Sequence, residues 1–498
     1  MHIPITASML YNLVQCPHRL NLDLHEDPQR RDPESKFVEL LWERGIDFEN
    51  EVIGNLQVPF TDLHALEDKE RERQTEKAIS QRAKLIYGSR IRARNLLGEP
   101  DILRWDDGMG YIAGDIKSGA GEEGGDDAGS EKPKKHYAVQ LALYTDILES
   151  LGLSKNRLPF VWDLHNDEVA YDLNAPQGPR TPQTLWELYQ EKLAQAHEIV
   201  SRPHTTLPAL GATCKLCHWR SHCTRQVEYL DDLTLIAELG RGKRDLIAPY
   251  IRTVTDLARA DLSALASGGK TAIKGIGWAT LLKFQVRAQL MLDPNGRPYC
   301  TTKPNLPDAD AELFLDIEVD PMRDICYLHG FVERRNRDDS TEVFLPFMAE
   351  TPTAEEERKA FGRAWEYVQS RRPCAIYYYS KYERTWWRKL QQRYPSVATE
   401  ADIQAMFESP MAVDLYFDVV QKCTEWPTRD RSIKTLAYYL GFKWRDTSPS
   451  GADSVEWYHR WIESGDPAIR QRILEYNEDD CIATRVLLDG IRTFNVRC

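Results

Sequence analysis

Cys16 stands alone near the start of the chain, and its natural partners come only in the stretch GATCKLCHWRSHCTRQ, as Cys214, Cys217 and Cys223. C-x2-C-x5-C is a compact ligand knuckle that needs a fourth donor. If Cys16 supplies it, everything between must fold so that its first helix returns to its last. Four thiolates suit zinc or an iron–sulfur cluster about equally. His218 and His222 lie close enough in sequence to substitute for a thiolate on zinc. Cys300, Cys326, Cys374, Cys423, Cys481 and Cys498 show no ligand spacing and read as ordinary thiols.

The totals fit a large, metal-using cytoplasmic protein. At 498 residues the chain exceeds one ordinary core and predicts three units. Hydrophobic content of 42% with 28% charged residues is that of a soluble globular protein. No apolar run is long enough to span a bilayer, and MHIPITASMLYNLVQCPHR lacks a secretory pattern. Ten cysteines in that setting argue for metal ligands and buried thiols over disulfides. A net charge of −13 argues against one broad basic face for nucleic acid and leaves room for local basic channels.

Inside the cysteine clamp lies a carboxylate set. Residues 1 to about 60 read as helical, with apolar Met9, Leu13, Val14, Leu40, Leu41 and Phe48. Ile102–Trp105 and Gly110–Lys117 then read as two short strands around Asp106-Asp107-Gly108. Such a hairpin brings Asp101 near Asp115 and Lys117. Two converging carboxylates can hold Mg²⁺ or a similar hard cation, and the lysine can stabilise charge or orient water. Glu49 could complete the shell, while Gln140 and Tyr144, at i, i+4, share a helix face able to position a strand. The Gly-rich acidic run GAGEEGGDDAGSEKPKK between them reads as solvated chain.

Residues 228–292 read as a helical connector. Its Gly275-Ile276-Gly277 turn is like that of a helix-hairpin-helix, with Lys270, Lys274, Lys283 and Arg287 nearby. A plain glycine-capped turn reads equally well. Residues 293–309, with several prolines, read as an extended linker.

A second carboxylate set occupies 310–498. AELFLDIEVDP reads as a strand whose Asp316 and Glu318 point the same way. In ILEYNEDDCIATRVLLDGI, Tyr476 and Asp480 share one helix face. Asp480 can join Asp316 and Glu318 around two metals about 4 Å apart, with Tyr476 orienting the attacking water. The middle acidic position falls to Glu383, or failing that to Asp414. Tyr377, Tyr378, Tyr379, Trp386 and Trp387 are either base-stacking or core aromatics.

Cys16, Asp101 in GEPD, Asp115 and Lys117 in GDIKSG, Gln140 and Tyr144 in QLALY, and the Cys214–Cys223 knuckle follow one order. That order resembles the RecB-like PD-(D/E)xK nucleases of the iron–sulfur subgroup, which includes AddB and the CRISPR-adaptation nucleases, over residues 1–227. The resemblance implies a restriction-endonuclease-like core, a 4Fe–4S cluster on the four cysteines (Zn²⁺ being the alternative), Mg²⁺ or Mn²⁺ dependence, and cleavage of DNA. Glu49 departs from it, since many relatives carry histidine there. Residues 310–498 resemble the RNase H-like DEDD exonucleases with tyrosine in the last motif, which implies 3′→5′ removal of nucleotides; here Glu383 departs from the usual aspartate.

The expectation is therefore an α/β multidomain, metal-dependent nuclease with two catalytic centres, acting on DNA in preference to RNA. The rival readings are an end-binding scaffold of a repair or defence complex with one or both sites inactive, and an RNA-processing exonuclease. No phosphate loop is visible, so any unwinding calls for a helicase partner.

Overall fold

A computed structural model describes residues 3–124, 131–178, 181–203, 206–267, 270–447 and 450–497. The chain is a mixed α/β protein that divides into Met1–Pro208 with Ala212–Cys223, and Ala209–Gly211 with Thr224–Cys498.

In the first unit, helices α1 (Ala7–Gln15) and α2 (Pro17–His25) meet at Cys16, whose extended backbone breaks the helix before Pro17 restarts it. Helix α3 (Lys36–Gly54) follows. Strands β1 (Thr61–Asp62), β2 (Leu85–Tyr87), β3 (Ile102–Asp106), β4 (Gly110–Ile116), β5 (Phe160–Trp162) and β6 (Glu168–Ala170) form one sheet in the order β6-β5-β4-β3-β2-β1. The β3–β4 hairpin is set by Asp106, whose Oδ1 accepts from the amides of Gly108 and Met109, both at 2.9 Å. Helix α4 (Lys135–Ser150) buries Ala138, Leu141, Leu143, Tyr144 and Ile147 around most of its circumference. An almost wholly enclosed helix is held by packing on every side, here including α1, β4 and α5 (Leu185–Ser201).

In the second unit, residues 228–292 carry an apolar cluster of their own around Leu233, Ile247, Leu257, Leu281 and Phe284. Its last helix, α7 (Trp278–Leu292), follows α6 (Arg220–Tyr229) after shorter helical turns. Arg287 on α7 is buried: its Nε lies 2.9 Å from Glu425 Oε2, and its Nη1 bonds Glu238 Oε2 and the Ala237 carbonyl. It is therefore spent on an internal ion network and is withdrawn from the basic set assigned to the Gly275–Gly277 turn. Residues 293–309 are more than a tether. Tyr299–Cys300 pairs antiparallel with Thr424–Glu425, and Cys300 is buried.

A five-stranded sheet follows: β7 (Ala311–Asp320), β8 (Ile325–Arg335), β9 (Asp338–Met348), β10 (Ala375–Tyr378) and β11 (Ala412–Asp414), in the order β9-β8-β7-β10-β11. β7 runs antiparallel to β8 and parallel to β10. Helices α8 (Ala354–Arg371), α9 (Lys381–Arg393), α10 (Ile433–Tyr439), α11 (Gly451–Ser464) and α12 (Pro467–Thr493) complete the unit. No described helix is long and apolar enough to cross a membrane.

Candidate metal centres

The first-unit hairpin sets its carboxylates by register. Ile102 pairs with Gly114, so Asp101 and Asp115 lie opposite each other one step beyond. Asp101 Oδ2 accepts from the Ile116 amide at 2.8 Å, and Lys117 Nζ is 2.9 Å from Asp115 Oδ2. Burial pushes the Asp101 carboxyl well above its ordinary range, and Asp115 and Glu49 push it further against the pull of Lys117. Burial would lower Lys117, yet Asp115 and Asp101 hold it above a free lysine. Glu49, on α3, accepts from the Tyr87 hydroxyl at 2.9 Å.

Gln140 and Tyr144 do not both face outward. Gln140 Nε2 donates to the Tyr144 hydroxyl at 3.1 Å, and that hydroxyl donates to the Glu99 carbonyl at 3.3 Å. Tyr144 is buried, so it supports the chain just before Asp101. Gly98 permits this closeness: a Cβ there would stand 2.7 Å from the Tyr144 ring. Part of the Gly-rich acidic run (125–130) lies outside the described residues.

Of the cysteine group, Cys223 packs with Leu22 and Trp219 in a small apolar knot, with Cys217 against it. Asp23 of α2 accepts from Trp219 Nε1 at 2.8 Å and faces His218 Nε2 at 2.9 Å, tying the N-terminal helices to the knuckle. Burial raises the Cys217 thiol, and Cys16 and Cys214 add to the rise. His218 is occupied by Asp23 on one nitrogen and faces Glu34 at 3.5 Å on the other, which removes it as a substitute ligand. His222 Nε2 faces Glu26 at 3.8 Å. Among the described residues, the cysteines include no trio of sulfurs within 4.8 Å of one another; the set that meets this limit is Asp316, Glu318 and Asp480.

In that second set, Asp316 and Glu318 lie on one face of β7, and a register shift follows Glu318 where the strand bends. Asp480 reaches them from α12. The Asn477 amide donates to Asp316 Oδ2 and the Trp444 indole to Asp480 Oδ1, each at 2.7 Å. Asn477 fits because residue 330 is glycine; a Cβ there would lie 1.6 Å from Asn477 Oδ1. Burial drives the Asp316 carboxyl well up, with Asp480, Glu318 and Glu383 adding to it. Burial likewise takes Glu318 up to about 8, with Asp480 contributing. Lys434 is the cation facing this group: its Nζ donates to the Tyr476 hydroxyl at 2.6 Å and lies 3.8 Å from Asp480 Oδ2.

Glu383 and Asp414 separate by role. Glu383 sits in the first turn of α9, is buried, and is raised to about 8 chiefly by burial. Its charge acts on Asp316. Asp414 instead spends its Oδ1 on the amides of Tyr416 and Phe417, at 3.0 and 2.9 Å, capping the turn after β11. The aromatic cluster is core: Tyr377, Tyr378, Trp386 and Trp387 are buried, and the Tyr379 hydroxyl bonds the Arg431 carbonyl. A strand buried on both faces reads as a continuous apolar run. Base stacking is thereby closed to them.

Sequence reasoning passed over Lys434, Asn477 and Trp444. Lys434 and Trp444 carry no spacing signal, whereas Asn477, beside Tyr476, could have been found from its position on the same helix turn.

Asp316, Glu318 and Asp480, with Glu383 beside them, are raised first by burial and then by one another's charge, and such a group of carboxylates fits a hard divalent cation, which would discharge it. Residues 313–491 match the family model RNase_H_2, described as RNase_H superfamily. No curated protein matches the chain.

Proposed function

We propose, from the RNase H-like C-terminal domain and the carboxylate trio it carries, that this protein is a divalent-metal-dependent nuclease that removes nucleotides from polynucleotide ends. The observation that carries the reading is the approach of Asp316, Glu318 and Asp480 within 4.8 Å on a domain of that superfamily. These three would hold the metal, with Glu383 behind them. Bound divalent ions supply a water of lowered pKa and charge stabilisation at the leaving oxygen. The protein's own part is orientation. Lys434 donates into the Tyr476 oxygen, so the tyrosine proton points away from the ammonium, toward Asp480. Asn477 and Trp444 fix Asp316 and Asp480 in their rotamers.

The first unit is proposed as a second, RecB-like centre acting on DNA. Asp101 and Asp115 would hold Mg²⁺ or Mn²⁺, Lys117 would stabilise charge on the phosphate, and Glu49 would stand at the edge of the shell. Cys16, Cys214, Cys217 and Cys223 would hold a 4Fe–4S cluster, whose role is to tie the N-terminal helices to the end of the unit. Zn²⁺ on the same four cysteines is the alternative.

The test is digestion of end-labelled single-stranded DNA and RNA, with and without chelator, by protein purified anaerobically. Wild type is compared with Lys117→Ala, Asp316→Ala and the double variant. Two working centres give each single variant a distinct residual product pattern and leave the double inert. Unchanged digestion by the double variant would refute the assignment. If wild type binds ends but cuts nothing, the scaffold reading replaces it.

A further inference from the structure

Residues 442–446 lie between α10 and α11 and belong to neither helix. Trp444, in the middle of them, is the donor to Asp480 Oδ1, so the orientation of a metal-type carboxylate depends on where this short segment sits. Its neighbours Arg445 and Asp446 tie the segment to α12, the helix that carries Asp480.

Arg445 makes most of these ties. Its backbone amide donates to Asp479 Oδ2 at 2.8 Å and its Nε to Asp479 Oδ1 at 2.9 Å. Its Nη2 donates to the Glu475 carbonyl at 2.8 Å and to Glu478 Oε2 at 2.6 Å. One residue thus grips the turn of α12 just before Asp480 at Glu475, Glu478 and Asp479. A planar guanidinium suits this task, because its donors leave in fixed directions where those of an ammonium rotate. Asp446 adds a further tie, accepting from Arg472 Nε at 2.7 Å. Arg472 in turn lies 4.0 Å over the Trp457 ring, which meets Tyr476 edge-on with centroids 5.8 Å apart.

The pairing runs in register. Trp444 holds Asp480 and Arg445 holds Asp479, neighbours on the segment taking neighbours on the helix. With Oδ1 tethered to the indole, the Asp480 carboxylate is not free to turn about its Cβ–Cγ bond, which gives Oδ2 a fixed position. The Arg445 side chain is 46% exposed, so truncating it removes the tie and leaves the core intact.

We infer that Arg445 is a positioning residue of the second centre: it clips residues 444–446 to α12 and, through the Trp444 indole, sets Asp480 for a divalent ion. The inference rests on the metal-binding reading of Asp316, Glu318 and Asp480, and it names what holds that set ready before an ion arrives.

The test is Mn²⁺ binding by the anaerobically purified full chain, followed by isothermal titration calorimetry in an Asp101→Asn, Asp115→Asn background that silences the first centre. Trp444→Phe keeps an aromatic ring and removes the N–H. It is expected to weaken binding by about 10- to 100-fold, the range for a group that orients a metal ligand. Arg445→Ala should weaken binding by about 10-fold. The double variant should bind no more weakly than Trp444→Phe alone, because both changes remove the same bond. Parental affinity in either single variant, or losses that multiply in the double, would overturn the inference. Should Arg445→Ala not fold by circular dichroism, Arg445→Lys replaces it under the same expectations, since it keeps the charge and loses the fork. Asp480→Ala separates the two levels. If it weakens binding while Arg445→Ala does not, only the clip falls. If the parent binds no Mn²⁺, or Asp480→Ala binds it as the parent does, the clip and the reading of the centre fall together.

Discussion

Replacing Glu383 by glutamine should make the metal-free protein more stable at high pH, the reverse of what removing a functional acid usually suggests. In an unfolded chain this carboxyl titrates near 4.5; in the fold burial lifts it to about 8. A raised carboxyl binds its proton more tightly when folded. Its contribution is therefore fully present below 4.5, declines as the unfolded chain ionises, and is lost by the time pH passes 8. At about 1.4 kcal/mol per pH unit the fall is bounded at about 5 kcal/mol. Water entry and relaxation bring the expected figure to about 2–4 kcal/mol. Glutamine escapes this loss but must place its amide NH₂ where Glu383 Oε2 has no hydrogen-bond partner among the described residues, at a cost of about 1 kcal/mol. Its oxygen can still accept from the Tyr379 amide, as Oε1 does at 3.3 Å. Glu383→Gln should thus be no more stable than wild type at pH 5 and about 1–3 kcal/mol more stable at pH 8.5. Urea titrations of chelator-treated protein at the two pH values measure this, following whichever transition the substitution moves. Adding Mg²⁺ at pH 8.5 should stabilise wild type more than the variant. An equal difference at both pH values would refute the claim that Glu383 is a neutralised, buried acid of the metal group.

Lys434→Met should slow end trimming by about 10- to 100-fold, in the range for a residue supporting a metal-site shell, with folding retained by circular dichroism; full activity would show that the Tyr476 hydroxyl needs no such anchor. Cys217→Ser should lower the iron and sulfide content of anaerobically purified protein and expose the N-terminal helices to protease; unchanged iron would remove this cysteine from the ligand set. Arg287→Met leaves Glu425 and Glu238 short of a buried cation and should cost about 3–5 kcal/mol in urea unfolding; a change below about 1 kcal/mol would mean water compensates the vacancy.

Within the two carboxylate sets the local pairs were legible, because spacing along a strand or helix, or one hairpin turn, determines them. Residues two apart on a strand face one way, which set Asp316 beside Glu318, and residues four apart on a helix share a face, which set Tyr476 above Asp480. A hairpin turn announced by Asp106-Asp107-Gly108 did the same for Asp101 and Asp115. What lay hidden were contacts made across the fold. Nothing local marks Lys434 as the partner of Tyr476, or Trp444 as the donor to Asp480, since both arrive from helices or loops whose packing only the assembled sheet decides. The run Tyr377-Tyr378-Tyr379 stayed ambiguous because a doubly buried strand and a stacking surface use the same residues, and position relative to the sheet, which composition does not encode, decides between them. Arg287 was read as a surface charge for the same reason: helical spacing does not tell which face meets Glu425.

The burial of Arg287 against Glu425, and of Cys300 beside the Thr424 strand, bears on how the chain can be taken apart. A fragment beginning at residue 313, where the family match starts, would leave Glu425 facing Arg431 without its second guanidinium and would strip the Tyr299–Cys300 strand from Thr424–Glu425. The evolutionary and the physical boundary therefore differ. A self-sufficient C-terminal piece has to begin near residue 224, taking the helical segment with it, so the smallest heritable module in this half of the chain is larger than the part that would perform the chemistry.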